Sequence, residues 1–198
     1  MSKADVLESF VFKKIVWLTK DSPGLESRQR AALAKLRRGV GLAPDDAPET
    51  WEITLADLPE ELLSHDGKVS LAEQAIHTAL TLFAAHQQGK GSSVSQNGVS
   101  FGTMARRIVS PDKSNELTVK RRFDAAVTSK DFTEFSRHAR SLIKIAKAND
   151  VNLDYPRFAK DLYWYQDPEM RQKIIFRWGG DFWAPIKKNQ NQTEGEQS

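Results

Sequence analysis

The 198-residue chain contains no cysteine, which excludes disulfide bonds, cysteine-based zinc sites and thiol nucleophiles. No apolar run approaches the ~20 residues that cross a bilayer as a helix, so no membrane association is expected. The four histidines, His65, His77, His86 and His138, lack the spacing of metal ligands. A glycine-rich phosphate loop, a Walker-type lysine motif, strand-like alternation and internal repeats are all missing. The opening MSKADVLESF carries acids in its first turns and no small-residue cleavage site. It therefore reads as no signal peptide, and with the missing cysteines it suggests a cytoplasmic protein.

One short stretch lacks acid altogether. Residues 28–39, RQRAALAKLRRG, hold Arg28, Arg30, Lys35, Arg37 and Arg38 with no carboxylate among them. At about 100° per helical residue, Leu25, Ala32, Leu33 and Leu36 form one apolar strip. The cations take the rest of the circumference, with the small residues Ala31 and Ala34 between them. Solvated helix faces usually mix signs as Glu/Lys pairs. A face without acids suits a helix that packs on one side and holds phosphate on the other.

Net charge is only +3, but it is unevenly spread. Residues 1–44 carry nine basic and four acidic side chains, residues 45–73 one basic and nine acidic, and residues 101–150 eleven basic and six acidic. Two basic surfaces divided by an acidic excursion are expected.

Most of the chain reads as helix. A first helix over 4–20 has apolar groups at Leu7, Phe10, Val11, Trp17 and Leu18; Ser22-Pro23 stops it and starts the next. The basic helix runs over 24–39, closed by Gly39 and Gly41. Residues 40–68 look irregular, with Trp51 folding back onto the core. Ser70 and Glu73 form a capping box that opens the helix 71–88, which is apolar nearly all round and reads as central and buried. Residues 89–100, GKGSSVSQNGVS, read as a hinge or surface loop. Further helices are expected at 101–109, 115–128 with Ser114 as cap, and 131–148. Two more open at Asp154-Tyr-Pro156 and Asp167-Pro168, the last ending at Gly179-Gly180. The fold class is all-α: two small helical bundles, 1–88 and 101–186, joined by the Gly/Ser-rich loop, with 187–198 a polar, disordered tail.

In the helix 131–148, Phe132, Phe135, Ala139, Leu142, Ile143 and Ala146 make the apolar stripe. Arg137, Arg140, Lys144 and Lys147 line another side at i, i+3, i+7 and i+10, covering about 15 Å, or roughly four phosphates of one strand. Like charges at such spacing repel, and a polyanion turns that cost into attraction. Arg106-Arg107 and Lys120-Arg121-Arg122 lie on the two preceding helices and are expected to share this surface.

Catalytic chemistry finds little support. Asp161 and Asp181 are conceivable metal ligands of a nuclease, but nothing places them together, so neither a metal nor a cofactor is expected. His77 and His86 read as hydrogen-bonded structural residues, and Trp164 and Trp178 as core. A stand-alone helical DNA-binding regulator is the alternative to a phosphate-holding subunit, but it needs a recognition helix with base-reading side chains, and none stands out.

Taken in order, the landmarks are RAALAKLRRG (30–39), TALTLFAAHQQ (78–88), VSFGTMARRI (99–108), KRRFDAAVTS (120–129), FSRHARSLIKIAK (135–147), LDYPRFAKDLYWYQ (153–166) and RWGGDFW (177–183). This series resembles the small subunit of the type I-E CRISPR Cascade surveillance complex, the CasB family, over about residues 5–185. The resemblance implies an all-helical, non-enzymatic protein of two small bundles. It also implies two copies beside a crRNA-bearing backbone of other Cascade subunits. The family's basic surfaces hold target DNA, help stabilise the displaced strand of the R-loop and support recruitment of a separate helicase-nuclease. Family basic positions map to Arg37, Arg38, Arg107, Arg121, Arg122 and Arg140. Arg137 and Lys144 join them by helix geometry, and Arg28 and Lys35 by the composition of their own helix.

Overall fold

A computed structural model describes residues 1–20 and 24–184. The proposed stop at Ser22-Pro23 and the tail 187–198 lie outside the described residues. Those residues form nine α-helices and no strand: α1 Lys3–Thr19, α2 Glu26–Arg38, α3 Trp51–Thr54, α4 Leu71–Gln87, α5 Phe101–Ile108, α6 Glu116–Val127, α7 Phe132–Ala148, α8 Tyr155–Tyr165 and α9 Pro168–Trp183. The all-α reading is correct.

Helix starts follow local chemistry. Ser2 with Asp5 and Ser70 with Glu73 form reciprocal capping boxes for α1 and α4, each satisfying backbone N–H groups that have no partner within the helix. Asp131, Asp154 and Asp167 accept backbone N–H groups at the starts of α7, α8 and α9. At α6 the expected Ser114 cap is replaced by Asn115, which gives the helix no side-chain cap. Ser114 instead donates its hydroxyl to Asp112 at 2.8 Å, and the Asn115 amide donates to the Ile108 carbonyl at 3.0 Å. The side chains of this turn bond one another before they reach the helix end.

α4 is the central element, buried on almost every side. It packs against α2, α7 and α8, and α8 packs on α1 as well. Residues 1–88 and 101–184 thus contribute to one continuous hydrophobic core. An aromatic cluster of Phe101, Phe135, Phe158, Tyr165 and Trp178 sits where α5, α7, α8 and α9 meet. The segment 89–100 is anchored along its length. Gln87 Oε1 accepts the Val94 N–H at 3.0 Å, Ser95 bridges to Leu153, and Asp154 accepts the Gly98 N–H at 2.8 Å.

Three local expectations are corrected. Gly179-Gly180 does not end α9, which continues to Trp183. Beyond the glycines, Phe182 is buried and stacks on Phe123 with centroids 4.6 Å apart, and that packing outweighs the helix cost of glycine. Trp51 does not return to the core: it is 42% exposed, its indole N–H donating to the Pro44 carbonyl at 2.7 Å. Ile53, Leu58 and Leu62 bury in its place, and short helical turns at Pro48–Thr50, α3 and Glu60–Leu62 order the region. On α1, Trp17 is exposed, and Ile15 fills the core beside Leu18.

Candidate nucleic-acid interface

α7 carries the basic row as its periodicity requires. Phe135, Ala139, Leu142, Ile143 and Ala146 are buried, which leaves Arg137, Arg140 and Lys144 exposed on the far side. Arg140 and Lys144 make no ion pair with any described residue, and Arg137 has only a 3.8 Å approach to Glu134. Lys147, one turn on, lies flatter. Its ammonium donates to the Ala85 carbonyl at 3.1 Å and to Gln88 at 3.3 Å.

Tertiary packing widens this row into a band. From α6, Arg122 donates to Ser141 Oγ at 2.6 Å. Ser141 stands four residues after Arg137 and three before Lys144, so Arg122 joins the row on one side. On the other side, a Cβ on Gly41 would lie 3.3 Å from Arg140 Nη1, so the turn after α2 runs directly against the row. Lys147 has its pKa lowered, first by desolvation and then by the charges of Lys90 and Arg37. Residues of α2, the 89–100 segment, α6 and α7 therefore share one positive field. Lys90, which no periodicity marks, reaches the edge of this field from the Gly/Ser stretch, but its ammonium is paired with Asp150 Oδ1 at 2.5 Å. A groove of about 730 Å³ opens between the 40–43 turn, α4 and the start of α7, with Arg137 and Arg140 on its wall.

The cations of α2 do not act as one set. Ala32 and Leu36, with Gln29, are buried, and at about 100° per residue Arg28 and Arg37 lie about 180° apart. Arg37 falls on the α7 side. Arg28, Lys35 and Arg38 fall on the other flank, towards the acidic segment. There Lys35 Nζ lies 2.6 Å from Glu52 Oε2, and Arg38 Nε donates to both Glu49 carboxylate oxygens at 2.9 Å. The acidic excursion sits on this flank. Arg107 and Arg121 are exposed and make no contact that joins them to the α7 band.

The remaining candidates have structural partners. His77 is buried, with Nε2 3.3 Å from the Gly39 carbonyl and Nδ1 3.4 Å from Thr50 Oγ1. His86 Nδ1 meets the Tyr155 hydroxyl. Asp161 is buried; it accepts the Trp178 indole N–H at 2.8 Å and pairs with Arg177. Asp181 accepts the Ser100 hydroxyl at 2.5 Å. Trp178 is fully buried, as expected, and Trp164 partly so. Among the described residues no three His, Cys, Asp or Glu side chains cluster as metal ligands, and no helix is long and apolar enough to cross a membrane.

Together these features define an all-helical protein with one continuous core and a cationic band drawn from separate helices. The model of the family described as CRISPR-associated protein Cse2 matches residues 32–183, and the chain belongs to that family, the small CasB subunit of type I-E Cascade. It is also similar to CasB from Thermobifida fusca. That crystal structure matches with a TM-score of 0.74 at 26% identity, covering 90% of this chain and 98% of that one. None of the curated proteins compared with the chain matches it.

Proposed function

We propose that this chain is a non-catalytic, cytoplasmic subunit of Cascade that holds target DNA by its phosphate backbone and so stabilises the R-loop. The observation that carries this reading is the accumulation of Arg37, Arg140 and Lys144 without acidic partners among the described residues, next to Arg122, Arg137 and Lys147. Like charges brought together this closely raise the energy of the isolated protein. A polyanion reverses that term and adds the gain from released counterions. In guided complexes base pairing reads the sequence, so the protein needs only backbone contacts, and exchange of one duplex for another is near balanced. A few phosphate contacts are then enough to favour the open R-loop. Two copies of the chain lie beside the crRNA-bearing subunits in this reading, with the α7 band facing nucleic acid.

The test is reconstitution. A matching Cascade without its small subunit is titrated with target DNA over a range of salt, with and without this chain. Two copies are expected to join, and affinity is expected to rise. With six contacts to a single strand, the added affinity falls with a log–log salt slope of about −4. A chain that neither joins nor changes affinity refutes the reading.

A further inference from the structure

The flank of α2 turned away from α7 is covered by this chain's own carboxylates. Arg28, Lys35 and Arg38 lie within about 80° of one another around the helix. Glu49 sits over Arg38, with Nη2 2.8 Å from Oε2 and Nε 2.9 Å from both oxygens; Glu52 sits over Lys35 at 2.6 Å. A carboxylate gripped by the guanidinium fork has the geometry in which arginine also takes phosphate.

The two acids are delivered there by packing. They ride on the turn Pro48–Thr50 and on α3, whose inner residues Thr50 and Ile53 are buried. The pairs themselves stay in water: the side chains of Arg38 and Glu49 are 59% and 38% exposed, those of Lys35 and Glu52 37% and 75%. Exposed pairs of this kind are weak and exchangeable.

Alongside runs a groove of about 720 Å³ between α1, α2 and α3, with Phe10, Ala32 and Ile53 in its lining and Lys13 and Arg28 among its cations. Lys13 and Arg28 make no ion pair with a described residue. Lys35 and its partner Glu52 line the same groove.

We infer that Glu49 and Glu52 are internal stand-ins for phosphate, masking a second nucleic-acid-binding surface on α2 that opens when a phosphate backbone displaces them. The inference rests on the nucleic-acid-holding reading above. It divides the binding surface into the open α7 band and a gated α2 flank, so weak encounters with nucleic acid engage α7 alone.

The experiment compares the full-length chain, Glu49→Gln with Glu52→Gln, and Glu60→Gln with Glu61→Gln. All three bind oligothymidylate across a salt series. Glu60 and Glu61 are exposed and make no ion pair with a described residue, so their variant makes the same change in net charge without unmasking α2. Unmasking is expected to tighten binding roughly tenfold at about 50 mM salt and to steepen the salt slope by about −1.4, two contacts at ~−0.7 each. Adding Lys35→Gln and Arg38→Gln to the unmasked variant should return it to the original affinity. Equal gains in the two glutamine variants, or no binding by the unmasked one, overturn the mask. Failure of the holding function itself shows elsewhere, as an absence of any effect in the Cascade reconstitution.

Discussion

His86 Nδ1 lies 3.0 Å from the Tyr155 hydroxyl, and both side chains are buried, at 1% and 0% exposure. The contact joins the end of α4 to the start of α8, so the two halves of the sequence meet through a polar pair inside the core. Burial, reinforced by the nearby charges of Lys90 and Lys147, lowers the His86 pKa from 6.5 to about 4. The folded protein thus holds this imidazole neutral, directly under the cationic band.

Acid destabilisation follows from that pair. The unfolded chain takes up a proton near pH 6.5, whereas folded His86 refuses it until about pH 4. Stability is complete above the upper value, declines as pH falls between the two, and levels off below the lower one. The full loss from this group is about 3 kcal/mol, of which about 2 kcal/mol is reached by about pH 5, and buried His77, with its pKa also lowered by desolvation, adds in the same direction. Urea unfolding at about pH 7.5 and about pH 5 measures it. His86→Gln should flatten the dependence, and equal midpoints in the parent protein contradict it.

Gly102 marks the tightest approach of two helices. A Cβ there would overlap the Trp178 carbonyl and stand 3.0 Å from the Asp181 Cβ. The obstacle is α9 backbone, which cannot rotate aside as a side chain does. Gly102→Ala should therefore cost about 2–4 kcal/mol, read as a fall in melting temperature with loss of the near-ultraviolet signal of Trp178. A melting temperature within a degree or so of the parent's contradicts this packing.

Asp161 is expected to act on stability. Asp161→Ala removes the acceptor of the Trp178 N–H and the partner of Arg177, leaving a buried donor unsatisfied at a cost of about 3 kcal/mol. Asp161→Asn keeps an acceptor for the indole and should lose less. Equal stability of the two variants would mean that the Trp178 bond contributes nothing.

The α7 band separates binding from folding. Arg137→Glu with Arg140→Glu alters exposed side chains off the buried stripe. The melting temperature should stay within a few degrees, while target-DNA retention by the reconstituted complex falls at least tenfold. Normal retention with normal assembly removes this row from the interface. Leu142→Asp, two residues beyond Arg140, puts an unpaired charge at a fully buried position and should prevent folding.

The sequence by itself determined the long helices, because caps and periodicity are local; the short turns between residues 40 and 68 carry neither signal. Ser70 with Glu73, Asp154 and Asp167 before α8 and α9, and the 3.6-residue stripe of Phe135, Ala139, Leu142 and Ile143 can all be read within a few residues; Ser2 with Asp5 and Asp131 are caps of the same local kind that the structure adds. The α7 cations follow from that stripe, and the ordered landmarks were enough to point to the Cse2 family. Local pattern failed where packing prevailed, as at Gly179-Gly180, where Phe182 continues the helix, and at Trp51, where Ile53 takes the core position. Only the tertiary structure decided which cations stand together. A helical wheel puts Arg28, Lys35, Arg37 and Arg38 around one apolar strip, but what each flank faces depends on elements distant in sequence. Folding brings Glu49 and Glu52 to one flank of α2 and α7 to the other, and it brings Lys90 beside Lys147. Charge acts through space over about 10 Å, so the electrostatics of the site emerges only when these segments pack around α4.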